Sequence, residues 1–332
     1  MFRTPFRRAL LRVAAPAAIA LVAALTAANT STAHAQTRPT LRILVGFPPG
    51  AGTDLAARIY GEYLAQLLNA TVVVENKPGA GGLLAAQAMK LAPAESNTLM
   101  MTIDHQVVML PLIMRNAGFD VRRDLLPVGR VLTFNTCLAV PGSAAASSLA
   151  AYVQAAKARP DQGAYGIPAA GSQAQFVGYV VGRHYDAPLR PVAYRGAAPA
   201  IADLVGGQVP SVVVPCDALN EHRKAGRLRV LAVAAHSRQP QMPDVPTFAE
   251  LGVKLPTDNF VAVYAASSMP PELLRQVVDA TQKMFQTPSM VERFNGTGMQ
   301  AAYGSPEELV KVWERSQAFW AEQVRASKFQ VE

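Results

Sequence analysis

Two short apolar runs, each ending in a glycine-rich loop that opens a helical pattern, constrain this chain more than any other feature. Leu41-Arg42-Ile43-Leu44-Val45-Gly46-Phe47 is an almost unbroken apolar series, which fits a parallel strand buried on both faces. Pro48-Pro49-Gly50-Ala51-Gly52 then turns the chain. From Thr53, the expected N-cap, Ala56, Ile59, Tyr60, Tyr63, Leu64, Leu67 and Leu68 recur at helical spacing. The pattern repeats with the strand Thr71-Val72-Val73-Val74-Glu75 and a Gly/Pro loop over 76–82. A helix follows with Leu84, Ala85, Ala88 and Met89 on one face. A third strand is expected over 97–103. This alternation predicts a doubly wound α/β sheet with its ligand crevice at the carboxyl ends of the strands.

Residues 126–140 read as one long strand that ends at Pro141-Gly142-Ser143 and crosses into a second lobe. There the same rhythm continues, with helices expected over 149–158, 172–185, 199–206 and 218–225. Strands are expected over 163–168, 190–194, 209–214 and 228–235. After a proline-rich stretch, 240–256, a strand over 260–265 returns to the first lobe. Two helices are expected to finish the chain. Pro270-Pro271 opens one, with Leu273, Leu274, Val277 and Val278 inward, and Pro306 opens the other. Trp313 and Trp320 share an apolar stripe with Leu309 and Val324, so both are expected in the core. The expected layout is a first lobe of 36–132 plus 250–332, with a second lobe, 133–249, inserted. Two such sheets joined by a two-stranded hinge make a closing clamp.

The first 35 residues read as a cleaved signal peptide. Arg3, Arg7, Arg8 and Arg12 precede an apolar run over 13–28, and Ala33-His34-Ala35 is a small-x-small cleavage site before Gln36. No Cys stands at the cleavage site, which argues against a lipoprotein. Arg7-Arg8 loosely matches a twin-arginine signal, which leaves the export route open. Removing these four arginines from 31 basic residues leaves 27 against 23 acidic ones, a net charge of +4. No Lys/Arg face with interleaved aromatics stands out, so nucleic acid is not an expected partner. No later uncharged apolar run reaches the ~18 residues of a membrane span, so a soluble periplasmic protein is expected. Cys137 and Cys216 fit either one disulfide or two buried thiols, because pairing is decided by distance.

The loops carry the candidate chemistry. In the first, Phe47, Pro49, Gly50, Ala51, Gly52, Thr53 and Asp54 sit where backbone N–H groups at a helix start attract an anion. The second offers Gly79, Ala80, Gly81 and Gly82 as the other half of an anion nest. The third, with Ala170, Gly171 and Ser172, opens a helix of the second lobe, and Arg195 lies on a fourth. Asp104, at the end of the third strand, can pair with an amino group or cap a helix. A dinucleotide fingerprint fails, because Leu55 holds its third glycine position. His184, His222 and His236 have no metal spacing. Neither a Gly-x-Ser-x-Gly elbow nor a His-Glu-x-x-His helix is present. No metal, cofactor or catalytic role is expected.

Several ordered motifs together resemble the Bug family, the periplasmic substrate-binding proteins of tripartite tricarboxylate transporters. They are Val45-Gly46-Phe47-Pro48-Pro49-Gly50-Ala51-Gly52-Thr53-Asp54, Val73-Val74-Glu75-Asn76-Lys77-Pro78-Gly79-Ala80-Gly81-Gly82 and Tyr194-Arg195-Gly196-Ala197-Ala198-Pro199-Ala200. Asp203-Leu204-Val205-Gly206-Gly207-Gln208, Lys224-Ala225-Gly226-Arg227-Leu228-Arg229, Pro243-Asp244-Val245-Pro246-Thr247 and Ser305-Pro306-Glu307-Glu308 follow. The resemblance implies a two-lobed, type II-like periplasmic-binding-protein fold and a small carboxylate ligand. The first two loops would hold the ligand's carboxylate and the third its distal end. It also implies a monomer that presents its ligand to membrane transporter subunits, or alternatively to a signalling protein as a sensor module. An exported hydrolase or oxidoreductase is the remaining alternative.

Three departures bear on the ligand. Gln175 stands where the family usually has a His, Val214-Pro215 where Asp-Asn is common, and Asp104 where a small hydroxyl residue is common. The second lobe's half of the pocket is therefore less polar, and an aromatic or amine-bearing acid is expected rather than a plain dicarboxylate.

Overall fold

The first apolar run forms a strand, Thr40–Val45 (β1), flanked on both sides by parallel neighbours, Thr71–Asn76 (β2) and Thr98–Ile103 (β3). A computed structural model describes residues 38–93, 96–257 and 259–329, and the expected signal peptide lies outside the described residues. Successive side chains of β1 point to opposite faces. Leu41, Ile43 and Val45 pack with Ala56, Tyr60 and Leu64 of Gly52–Leu67 (α1), whereas Leu44 packs with Leu83, Ala86 and Met89 of Leu83–Lys90 (α2). Both faces are covered, which is why the run carries so few polar residues. Of the expected α2 face, Ala85 and Met89 are buried and Ala88 is half-buried, but Leu83 rather than Leu84 turns inward, and Leu84 is 50% exposed. The α1 cap is Ala51, with no side-chain cap bond, and Thr53 is a buried residue of the first turn rather than the N-cap.

Leu125–Phe134 (β4), Asn259–Ala266 (β10) and Gln300–Gly304 (β11) complete this sheet in the order β11-β4-β10-β3-β1-β2. Because β10 is antiparallel to both β3 and β4, the carboxyl ends of β1, β3 and β4 share one edge. The second sheet holds Thr136–Pro141 (β5), Ala164–Ile167 (β6), Arg190–Ala193 (β7), Val212–Pro215 (β8) and Leu228–Ala234 (β9). Its order is β7-β6-β8-β5-β9. Here β5 is antiparallel to β8 and β9, so the carboxyl ends of β8 and β9 lie where β5 begins.

The expected single strand over 126–140 is thus two strands in different sheets, divided at Asn135. Strand-forming residues, Thr133-Phe134 and Thr136-Cys137, stand on both sides of the break, so the pattern gives no clear sign of it. The chain recrosses into β10, where Asn259 Nδ2 donates to Thr136 Oγ1 at 3.0 Å in a buried bond between the two crossings. The carboxyl edges of the two sheets therefore meet at a two-stranded hinge.

Helices Leu149–Ala158 (α3), Gln173–Tyr185 (α4) and Ala197–Val205 (α5) cover the second sheet. Cys137 and Cys216 form a disulfide, 79 residues apart in sequence, that ties β5 to the residue after β8. The chain finishes with three helices and a strand, not two helices: Pro271–Met284 (α6), Pro288–Asn295 (α7), β11 and Pro306–Ser327 (α8). In α7 only Met290 and Phe294 are buried, too few positions to set a clear period.

Helix α8 begins with a full capping box, Ser305 with Glu308, and Pro306 at its first position. Trp313 donates Nε1–H to the Val107 carbonyl at 2.8 Å, and Trp320 packs against Phe176 of α4 with ring centroids 6.4 Å apart. Both tryptophans are core residues, as expected. One continuous apolar cluster contains Leu44 and Met100 of the first sheet, Trp320 of α8, and Phe176 and Val213 of the second lobe.

Candidate functional site

The first loop is held from within. Asp54 is 1% exposed, and its carboxylate accepts from Gly50 N–H at 2.8 Å, from Asn76 Nδ2 at 2.8 Å, and from Arg58 Nε and Nη2 at 3.0 Å. Asn76 also donates to the Phe47 carbonyl at 3.0 Å, so the end of β2 is sewn to the first loop. Burial opposes ionisation of Asp54, but the bonds from Arg58, Gly50 and Asn76 outweigh it and hold the carboxyl below the usual carboxylate range. These bonds make Asp54 a brace for the loop that presents Gly50, Ala51 and Gly52. Phe47 is half-buried against the α1 side of the core, and Pro49 is exposed.

The second loop takes positive φ at four successive residues: Gly79 (138°), Ala80 (47°), Gly81 (67°) and Gly82 (92°). Such a run of positive φ favours glycine, which fills three of the four positions. A Cβ on Gly46 would lie 2.7 Å from Gly82 Cα, so the first two loops touch backbone to backbone. Gln106 fills the angle between them. It is 0% exposed, donates Nε2–H to the Gly82 carbonyl at 3.1 Å, and accepts from Ile103 N–H at 3.2 Å and from the Thr102 hydroxyl. Sequence reading passes over Gln106 because its role depends on contacts 24 residues away.

The third loop reaches the same place from the other sheet. Asp104 is 2% exposed and accepts from Phe260 N–H at 3.4 Å, with the Gln173 side chain at the start of α4 and the His105 N–H close enough to favour its charged form. Burial pushes its carboxyl up to about 7, against those bonds. His105 packs on Gly81, its Nδ1 is enclosed without a hydrogen-bond partner, and burial lowers its pKa to about 4. Ser172 is buried, and its Oγ also lacks a partner.

Gly171 has φ 70°, and a Cβ there would lie 2.5 Å from Ile113 Cδ1, so only glycine lets this loop seat on the first lobe. Gln175 accepts from Gly171 N–H at 2.8 Å and closes the loop on itself. Ala170 is exposed. Arg195 is exposed too and makes no ion pair among the described residues. Its loop is tied to the third through Gly196 N–H to the Pro168 carbonyl at 2.9 Å. Contacts thus bring the first three loops, each leading into a helix N-terminus, around the carboxyl end of β3. Such termini favour anions.

A separate cavity of about 450 Å³ lies between the sheets. It is lined by residues 133–135, 239–242 and 298–300 with Cys216, Asp217, Asn220 and Asn295, and by none of the loop residues above. It adjoins the first loop at Met299, whose Cε would be 3.2 Å from a Cβ on Gly52.

The model of the tripartite tricarboxylate transporter family receptor, TctC, matches residues 56–326. The chain belongs to this family. As a TctC receptor it is a solute-binding protein and not an enzyme. It is 31% identical over 290 residues to a UPF0065 protein of Bordetella bronchiseptica, covering 87% of this chain and 86% of the relative. It is 30% identical over 270 residues to protein BugT of Bordetella pertussis, covering 81% and 83%. R. palustris Rpa4515 with adipate superposes with a TM-score of 0.78 at 25% identity, over 88% of this chain and 98% of that one. Among the described residues, no helix is long and apolar enough to cross a membrane.

Proposed function

We propose that this TctC receptor works in the periplasm, exported by residues 1–35, and captures a small carboxylate-bearing solute for a tripartite tricarboxylate-type transporter. The observation that carries this reading is the meeting of three glycine-bearing loops, each opening a helix, around β3, with Ser172 Oγ buried there and unpartnered. Backbone N–H groups of the first two loops receive the carboxylate, and Ser172 receives the distal end of the solute. The Rpa4515 structure, which contains the dicarboxylate adipate, supports that class. Gln175 is engaged with Gly171, and this favours an aromatic or amine-bearing acid over a plain dicarboxylate.

A thermal-shift screen of the protein from Gln36 onward, against mono-, di- and tricarboxylates, aromatic acids and amino acids, tests the proposal. A ligand at 100 times its Kd stabilises by about 2.7 kcal/mol. A saturable acid hit that Ser172→Ala weakens is the expected result. Stabilisation by no acid at all would overturn the carboxylate reading, and citrate or succinate as the tightest ligand would overturn the finer one.

A further inference from the structure

The 450 Å³ cavity has a chemistry opposite to that of the glycine loops. Its floor is the hinge crossing, residues 133–135. One wall is Asp217 and Asn220, just after β8, and the facing wall is residues 298–300, where β11 begins. Asp217 is the one ionisable side chain in the lining, and no Lys, Arg or His joins it. Its side chain is exposed and has no ion-pair partner among the described residues, although the atoms crowding it raise its pKa. The walls come close there: a Cβ on Gly298 would lie 3.4 Å from Asp217 Oδ2.

Around that carboxylate stand four carboxamides, Asn135, Asn220, Gln241 and Gln300, whose side chains make no hydrogen bond among the described residues. Each offers a carbonyl acceptor and two N–H donors. Phe134, Met242 and Met299 add apolar, polarizable surface. One carboxylate is too few for a bare metal ion, and no cluster of three or more His, Cys, Asp or Glu is found among the described residues. The volume lies in the ordinary range of small-molecule sites, about 300–1,000 Å³.

We propose that this cavity is a second ligand site, separate from the glycine loops, that takes a small organic cation bearing several hydrogen-bonding groups, with Asp217 as its counter-ion and the carboxamides reading its polar groups. Because its walls come from both sheets, occupancy favours the arrangement in which those walls face each other.

Three probes of one shape test it: glucamine, a polyhydroxylated primary ammonium; sorbitol, its uncharged counterpart; and gluconate, its anionic one. Each is titrated calorimetrically into the protein from Gln36 onward at pH 7.5. Glucamine is expected to bind at least tenfold more tightly than sorbitol, and gluconate more weakly than either. Asp217→Asn should weaken glucamine at least tenfold, about 1.4 kcal/mol, with its unfolding transition unchanged. Gln241→Ala, on an exposed stretch, should weaken it several-fold. Equal binding of glucamine and sorbitol, absence of glucamine binding, or indifference to both substitutions would each overturn the cation site. Displacement of glucamine by a carboxylate hit from the thermal screen would show one shared site and overturn its separateness.

Discussion

Asp104 and Gln173 meet between the two sheets, the Gln173 side chain at the start of α4 lying beside a carboxyl at the end of β3 that is 2% exposed. The next residue, His105, is half-buried with its Nδ1 enclosed, and the consequence is opposite. Asp104 ionises near 3.8 when unfolded but only at about 7 when folded, so stability is lost as pH rises from about 4 to about 7. His105 protonates near 6.5 when unfolded but only at about 4 when folded, so stability is lost as pH falls through that window. The two slopes oppose each other in the wild type. Asp104→Asn should therefore leave a melting temperature that climbs from pH 4 to 6.5, and His105→Asn one that declines. Thermal unfolding at half-unit pH steps reads both, and parallel profiles in the two variants would contradict this account.

Asp54 joins the first loop to β2 through Asn76 and Arg58. Arg58 is half exposed, so the ion pair itself is screened. The larger loss on Asp54→Ala is the bond to Gly50 N–H and the acceptor of Asn76. We expect a destabilisation of about 1–3 kcal/mol with an unchanged denaturant m value. An effect under about 0.5 kcal/mol, the level of an ordinary surface change, would refute the loop-holding role.

Gly171→Ala places a methyl group against Ile113 at a positive φ. Overpacking of this kind costs about 1–3 kcal/mol. Ile113→Ala should remove the clash, so the double variant should be more stable than the sum of the singles by more than about 0.5 kcal/mol. Simple additivity would place the cost in the backbone rather than in the contact.

The Cys137–Cys216 disulfide closes a loop of 79 residues within the second lobe. Loop entropy gives it about 4.5 kcal/mol of stability. Unfolding with and without reductant, with Cys137→Ala/Cys216→Ala as control, should show that loss, whereas equal midpoints would leave the bridge without a stabilising role.

The parallel strands and the three glycine loops were legible because their residues announce local requirements: burial on both faces for Ile43 and Leu44, and positive φ for Gly79 and Gly82. The break at Asn135 was not, since β4 and β5 are both strand-like and differ only in the sheet they join. The roles of Gln106 and Gln173 were hidden for a related reason. Each acts on a loop distant in sequence, and nothing in its own neighbourhood marks it. The pairing of Cys137 with Cys216 likewise depended on a distance that spacing does not encode.

The packing of Trp320 on Phe176, within an apolar cluster shared by both sheets, carries a thermodynamic consequence. Neither lobe can melt without stripping cover from the other, so the hinge divides the molecule mechanically but not into separate cooperative units. Heating should give a single transition. A solute held mainly by one lobe will therefore raise the melting point of the whole chain.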